Sequence, residues 1–283
     1  MSRFALAFSA NDRYYDWTLP FLQSIREHNA DLKLYLIPYD DHVDKTLALR
    51  RHFDFEPIDA DLAAIDGFSE RLFPAHRRER GNMRRFAALQ IDCDEVAYFD
   101  VDMVLCADPA RLFGYVSASV CDLIYLSTSE EWVYRRNKLA LARAHFPNTR
   151  LFSAGAFVTS PRILTVEKII ATIEENWDLY VALRMPRMAD QTILNFVVDR
   201  LDLACRHIGE CDERSAGMVS HRYRDIRFEG EQLVQSSTGR DVTAVHWAGV
   251  LKRGVGLINP RIRQLRRYHA AMRKRVALRL AGH

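Results

Sequence analysis

Short apolar runs alternate along most of the chain with stretches whose apolar residues recur every three or four positions, a pattern that predicts strands and helices in turn. Arg3-Phe-Ala-Leu-Ala-Phe8 and Leu32-Lys-Leu-Tyr-Leu-Ile37 read as strands, and between them Leu19, Leu22, Ile25 and Arg26 follow helical spacing from Trp17 to Asn29. Met83 to Ile91 reads as a helix that leads through Asp92-Cys-Asp94 into Glu95-Val-Ala-Tyr-Phe99. That near-continuous apolar run suits a strand covered on both faces. Leu123-Ile-Tyr-Leu126 and Gly155-Ala-Phe-Val-Thr159 predict further strands, Ile163 to Trp177 and Gln191 to Asp199 further helices. The alternation argues for an α/β fold with a mostly parallel sheet and helices on both sides.

The pattern changes after residue 259. From Pro260 onward Ile262, Leu265, Tyr268, Met272 and Val276 recur among arginines, which predicts a basic amphipathic helix over 260–283 beside a main domain over 1–259. Such a helix either docks on the body with a solvated cationic face or lies on an anionic membrane.

Charge sharpens that division. Of the 40 Lys and Arg, ten lie between Lys252 and His283 with no acid among them, which leaves 30 against 37 acids elsewhere, so the body is about −7 and the tail about +10. A tail of that sign suits an acidic partner, and an acidic body without a nucleic-acid module makes anionic lipid or a lipid-linked acceptor a better one than nucleic acid. No run of about 18 apolar residues is present to span a bilayer, and Phe4 to Ala10 is read as an opening strand rather than a cleaved signal. The five cysteines form no C-x-x-C pair, which fits neither a disulfide framework nor a zinc knuckle and points to a reducing cytoplasm, with a peripheral membrane position open.

Two stretches carry candidate chemistry. In Tyr98-Phe99-Asp100-Val101-Asp102 a buried strand runs into two carboxylates one residue apart, and extended backbone sends positions i and i+2 to the same side. Two ionised carboxylates at the carboxyl end of a strand repel unless a cation lies near, and their hard oxygens suit Mn²⁺ or Mg²⁺. Far along the chain stands Ala244-Val-His246-Trp-Ala-Gly249-Val-Leu-Lys252. A neutral imidazole completes a metal shell, a glycine admits close approach of an anion, and a lysine neutralises phosphate, so this stretch suits a metal diphosphate.

Together these motifs resemble those of the retaining family 8 glycosyltransferases, which include bacterial lipooligosaccharide galactosyltransferases and glycogenin. The likeness spans most of residues 3 to 252 and takes in Phe8-Ser-Ala-Asn-Asp-Arg-Tyr14, similar to the family's uridine-binding loop, and Met188-Ala-Asp190-Gln191, similar to its Asp-Gln pair. The resemblance implies a GT-A fold and a metal-dependent transfer of a hexose from a UDP-sugar to a hydroxyl acceptor with retention of configuration. It implies that Asp100, Asp102 and His246 hold the divalent metal, Asp100 also touching the ribose. Lys252 and the backbone near Gly249 would bind the diphosphate, and Asn11 and Tyr14 the uracil, with Ser9, Ala10 and Val101 in the same donor-binding set. Asp190 would bind donor-sugar hydroxyls, Gln191 would lie on the reacting face, and either Arg84 or Arg85 would contact the donor.

The chain departs from the family pattern at Ser153-Ala154-Gly155, where an Asn usually stands in place of Ser153, and at Lys252-Arg-Gly254, where many members have Lys-Pro-Trp. Each position also has a plainer reading. Asn11, Asp12 and Tyr14 could cap the first helix and Asp190 its own helix. Ser153 to Gly155 could be a tight turn, Arg84 and Arg85 an exposed helix face, His246 a packed histidine and Lys252 a solvated lysine. Two further functions compete with glycosyl transfer: a sugar nucleotidyltransferase, which also needs carboxylates and a metal but for which residues 8 to 14 lack any glycine, and a non-catalytic membrane-associated binding protein.

Overall fold

The computed structural model describes residues 2–75, 77–186, 189–220, 222–247 and 260–281. Its main sheet contains β1 (Ser2–Ala10), β2 (Lys33–Pro38), β3 (Glu56–Pro57), β4 (Cys93–Asp100), β6 (Leu123–Tyr125), β7 (Ala156–Thr159) and β8 (Cys205–His207) in the order β3-β2-β1-β4-β7-β6-β8. All pairings are parallel except those of β7, which runs antiparallel to both neighbours.

Strand alternation divides the apolar residues between two layers. Ala5, Ala7, Val96 and Tyr98 face one side, against Phe86, Leu89, Ile193 and Phe196, whereas Leu6, Phe8, Ala97 and Phe99 face the other, against Phe21, Leu22 and Ile25 of the helix Tyr15–His28. Both faces of the central strands are thus covered, which is why β1 and β4 read as continuous apolar runs.

A second, smaller sheet was not expected from the apolar pattern. It contains β5 (Met103–Leu105), β9 (Ser215–Ser220), β10 (Ile226–Glu229), β11 (Gln232–Gln235) and β12 (Asp241–His246), ordered β10-β11-β12-β5 with β9 on β12. Only the turn at Val101 and Asp102 separates β4 from β5, so the chain steps from one sheet to the other at the two carboxylates.

Other differences are local. Residues 84–90 form a 3₁₀ helix, Arg84–Gln90, after the short α-helix Arg77–Met83. The stretch expected to be one helix from Ile163 to Trp177 is divided at Asn176 into Val166–Glu175 and Trp177–Leu183.

The terminal helix Pro260–Ala281 docks on the body. Met272 and Val276 are buried, His269 packs between Trp17 and Trp247 with ring centroids 5.1 and 5.3 Å away, and Arg275 and Arg273 pair with Glu27 (2.8 Å) and Asp16 (3.6 Å). The side chains of Ile262, Leu265 and Tyr268 lie outside the described residues. Among the described residues no helix is long and apolar enough to cross a membrane.

Candidate active site

Asp100 ends β4 and pairs in register with Ser9 of β1, so both stand at the carboxyl end of the parallel strands, where open α/β sheets bind ligands. Asp102 follows in the turn. The ladder between β12 and β5 sets His246 opposite Met103, and the Trp247 N–H donates to the Asp102 carbonyl at 2.8 Å. His246 Nε2 thereby comes within 3.0 Å of Asp102 Oδ1. One ligand atom from each of Asp100, Asp102 and His246 lies within 4.8 Å of the others, close enough to share one cation. Two carboxylates and an imidazole form a donor set suited to a divalent ion with a taste for oxygen.

Electrostatics separates the three groups. Burial pushes the Asp100 carboxyl above the usual carboxylate range, although Arg85 pulls it down. Burial acts the same way on Asp102, but the charge and hydrogen bond of His246 outweigh it and hold Asp102 low. The reverse balance raises His246, since burial opposes its charge and Asp102 more than compensates.

Arg85 organises the floor of the site. Its guanidinium lies 3.2 Å from Asp100 Oδ1 and 3.0 Å from Asp190 Oδ2, donates to the Ala154 carbonyl at 2.8 Å, and stacks over the Tyr98 ring. Tyr98 in turn donates its hydroxyl to Asp100 Oδ1 at 2.8 Å. Arg84 points elsewhere, making a bidentate pair with Asp66 at 2.8 and 2.7 Å. Arg85 is thus the arginine beside the paired carboxylates, while Arg84 lines the neighbouring cleft.

Ser153, Ala154 and Gly155 run alongside. Gly155 accepts the Asp100 N–H at 2.8 Å, its own N–H donates to Ser153 Oγ at 3.3 Å, and a Cβ at this position would meet Asp100 Oδ2 at 2.9 Å. The helix Ala189–Arg200 brings in Asp190 and Gln191, both buried, and Gln191 Nε2 donates to Ser129 Oγ at 2.8 Å. Asn195, one helical turn later, clasps both backbone groups of Phe152 (2.9 and 2.8 Å) and the Gln191 carbonyl (2.9 Å), tying this helix to the Ser153 turn.

Of the remaining residues expected at the donor site, Asn11 and Tyr14 line an adjoining cleft of about 570 Å³, whose walls also include Tyr39, Asp40, Asp66 and Arg84. Asn11 does cap, its Oδ1 accepting from the Tyr14 N–H, and it also donates to Asp40 Oδ2 at 2.7 Å. Ala10 is buried and contributes its carbonyl to the Tyr39 N–H, and Val101 is packed in the core beneath the turn. Ser9 Oγ is buried without a hydrogen-bond partner among the described residues, an orphaned polar atom at the carboxyl end of β1. Gly249 and Lys252 lie outside the described residues.

The sequence reading missed Tyr98, Asp40, Ser129 and Asn195. Tyr98 was recoverable, standing two positions before Asp100 on the same strand face, and so was Asn195, one turn beyond Gln191. Nothing local marked Asp40 or Ser129.

No family model and no curated protein matches the chain. Solved structures do. The WbbM bifunctional glycosyltransferase is similar at 17% identity and a TM-score of 0.58 over 88% of this chain, which spans 46% of that protein. The galactosyltransferase LgtC, in complex with donor and acceptor sugar analogs, is similar at 16% identity and a TM-score of 0.55, with 87% of each chain covered. Mouse xyloside xylosyltransferase 1 is similar at 14% identity and a TM-score of 0.56, over 89% of this chain and 99% of that one. The fold is therefore that of the GT-A glycosyltransferases, a mixed α/β sheet flanked by helices, along nearly the whole chain. At these identities the likeness is one of architecture.

Proposed function

We propose that the protein is a metal-dependent glycosyltransferase that moves a hexose from a UDP-sugar to a hydroxyl acceptor with retention of configuration. The observation that carries this reading is the convergence of Asp100, Asp102 and His246 from two sheets onto one point at the carboxyl end of β4, within a GT-A fold. Their donor set fits Mn²⁺ or Mg²⁺, and a divalent ion held there supplies Lewis-acid stabilisation of a departing diphosphate.

The chain's own residues do the rest. Arg85 holds the carboxylates of Asp100 and Asp190 in fixed positions, so that Asp100 meets the ribose and Asp190 accepts hydrogen bonds from donor-sugar hydroxyls. Asn11 and Tyr14 bind the uracil in the adjoining cleft, and Ser9 belongs to the same donor-binding set. Gln191, steadied by Ser129, lies on the reacting face and stabilises positive charge that develops on the sugar. Gly249 and Lys252 complete the diphosphate site, the ammonium offsetting charge that grows on the leaving group. The acceptor attacks on the face from which the diphosphate leaves, and its proton passes to a leaving-group oxygen, so no dedicated protein base is needed.

The test is product analysis. Incubation with a panel of nucleotide sugars and Mn²⁺ should release UDP from one of them, and Asp102→Asn should abolish that release. Undiminished release in the variant would remove the metal site from the reaction. Formation of pyrophosphate from a nucleoside triphosphate and a sugar phosphate would replace the proposal with nucleotidyl transfer.

A further inference from the structure

A second cavity of about 460 Å³, open to solvent, is lined by Tyr15, Lys45, Ala48, Leu49, Arg51, His52 and, from the docked terminal helix, Leu280. It shares no lining residue with the donor cleft. Its polar wall holds Lys45, Arg51 and His52, and no carboxylate lines it. The body as a whole carries more acid than base, and several of its arginines stand against carboxylates. Arg71 meets Glu174, Arg80 meets Glu70, Arg150 meets Glu210 and Arg162 meets Asp94. Among the described residues neither Lys45 nor Arg51 makes an ion pair. The Asp12 carboxylate accepts from the backbone N–H groups of Thr46 (2.8 Å) and Lys45 (3.2 Å) and from the Thr46 hydroxyl (3.1 Å), and the Lys45 charge acts on it without a direct ion pair.

Both cations are also held in place. The Lys45 ammonium sits 3.8 Å above the centre of the Tyr15 ring, and Arg51 Nε donates to His52 Nε2 at 2.9 Å. The other wall is apolar, with Leu49 buried at its base and Leu280 contributed by the terminal helix. A lone inorganic anion would fill only part of this volume. An anion flanked by carbon would meet cations on one wall and Leu49, Leu280 and Tyr15 on the other.

We propose that this cavity is a second binding site, separate from the donor site, for a phosphate ester whose phosphate lies between Lys45 and Arg51 and whose carbon part covers Leu280. Because Leu280 belongs to the terminal helix, an occupant would also fasten that helix to the body. The proposal does not depend on the reaction assigned to the other cleft, and its test needs no turnover.

Thermal unfolding of the full chain with sn-glycerol 3-phosphate, without metal or nucleotide, reads the site directly. At a tenfold excess over its dissociation constant the ester should raise the melting temperature by about 3 °C, and Lys45→Glu/Arg51→Glu should lose that rise. The melting temperature of the ligand-free double variant reports on its fold, and Lys45→Gln/Arg51→Gln replaces it if the charge reversal itself lowers stability. Sedimentation with phosphatidylglycerol and with phosphatidylcholine vesicles identifies the source of the phosphate. Loss of phosphatidylglycerol binding in the variant supports a lipid headgroup, whereas unchanged vesicle behaviour with a lost thermal shift supports a soluble ester. No shift in the wild type, or the same shift in both variants, overturns the site.

Discussion

His246 Nε2 lies 3.0 Å from Asp102 Oδ1, and the backbone beneath the two residues is what sets that distance. The β12 and β5 ladder and the Trp247 N–H bond to Asp102 fix both Cα positions independently of the side chains. The second sheet therefore acts as the arm that delivers an imidazole to the carboxylates. Removing the imidazole should leave that arm intact. His246→Ala is expected to keep its far-ultraviolet circular dichroism while Mn²⁺ affinity falls at least ~10-fold, since even the loss of an outer-shell partner costs that much. Isothermal titration with MnCl₂ checks this, and wild-type affinity in the variant would take His246 out of the metal set.

Arg85 is a buried cation between two carboxylates, so its stability effect differs from that of a surface arginine. Taking out one partner of a buried ion pair leaves an uncompensated charge, at a cost of about 3–5 kcal/mol. Arg85→Met is expected to lose that much in urea unfolding, and Asp190→Asn added to it should recover part of the loss, because it removes one of the stranded charges. A single variant within about 1 kcal/mol of wild type would mean that solvent screens the site far more than its burial suggests.

How much of this was legible in the sequence depends on the range of the interaction. Asp100 and Asp102 were legible because both follow directly on an apolar run, although the extended backbone expected to bring them to one side ends at Asp100 and a turn carries Asp102 there instead. The mostly parallel α/β sheet followed from the alternation of β1, β2, β4 and their helices, and its GT-A form from the family resemblance. The second sheet was not legible, since β10 and β11 carry few apolar residues in Ile226-Arg-Phe-Glu229 and Gln232-Leu-Val-Gln235 and so make no apolar run of the kind that marked β6 and β7. Without that sheet, the meeting of His246 with Asp102 rested on family resemblance alone. Arg84 and Arg85 could not be separated because their spacing to Asp100 does not say which of two successive side chains turns toward the carboxylates. The terminal helix showed its apolar face plainly at Met272 and Val276, but a periodic pattern does not say whether that face meets protein or lipid.

Gly155 should tolerate a methyl group in its backbone and fail to accommodate it beside the carboxylate. Its φ is not in the left-handed region, so Ala is conformationally acceptable, but the added Cβ would stand 2.9 Å from Asp100 Oδ2. Arg85 and Tyr98 both hold that carboxylate from its other oxygen, so relief requires it to turn from its present position. Gly155→Ala is expected to cost about 1–3 kcal/mol of stability, as for other overpacked sites, while weakening Mn²⁺ binding as strongly as His246→Ala does. Calorimetric metal affinity equal to wild type would show that the carboxylate yields without consequence.

Asp199 supplies a pH dependence separate from Asp100, Asp102 and His246. It lies in the last turn of the helix Ala189–Arg200, where its Oδ2 accepts hydroxyl hydrogen bonds from Tyr134 at 2.9 Å and Thr149 at 2.7 Å. Burial nonetheless raises its carboxyl from 3.8 to about 6, outweighing both hydrogen bonds. A carboxyl that is harder to ionise in the folded protein than in the unfolded chain contributes stability below its unfolded value, and that contribution is lost as pH rises through about 6. The rise corresponds to about 3 kcal/mol at most. Asparagine keeps an oxygen for Tyr134 and Thr149 and carries no charge. The stability of Asp199→Asn relative to wild type should therefore increase steadily from about pH 4 and level off above about pH 6, when urea unfolding is followed at each pH. Parallel stability curves for the two proteins across that window would show that Asp199 is ionised in the folded state at no cost.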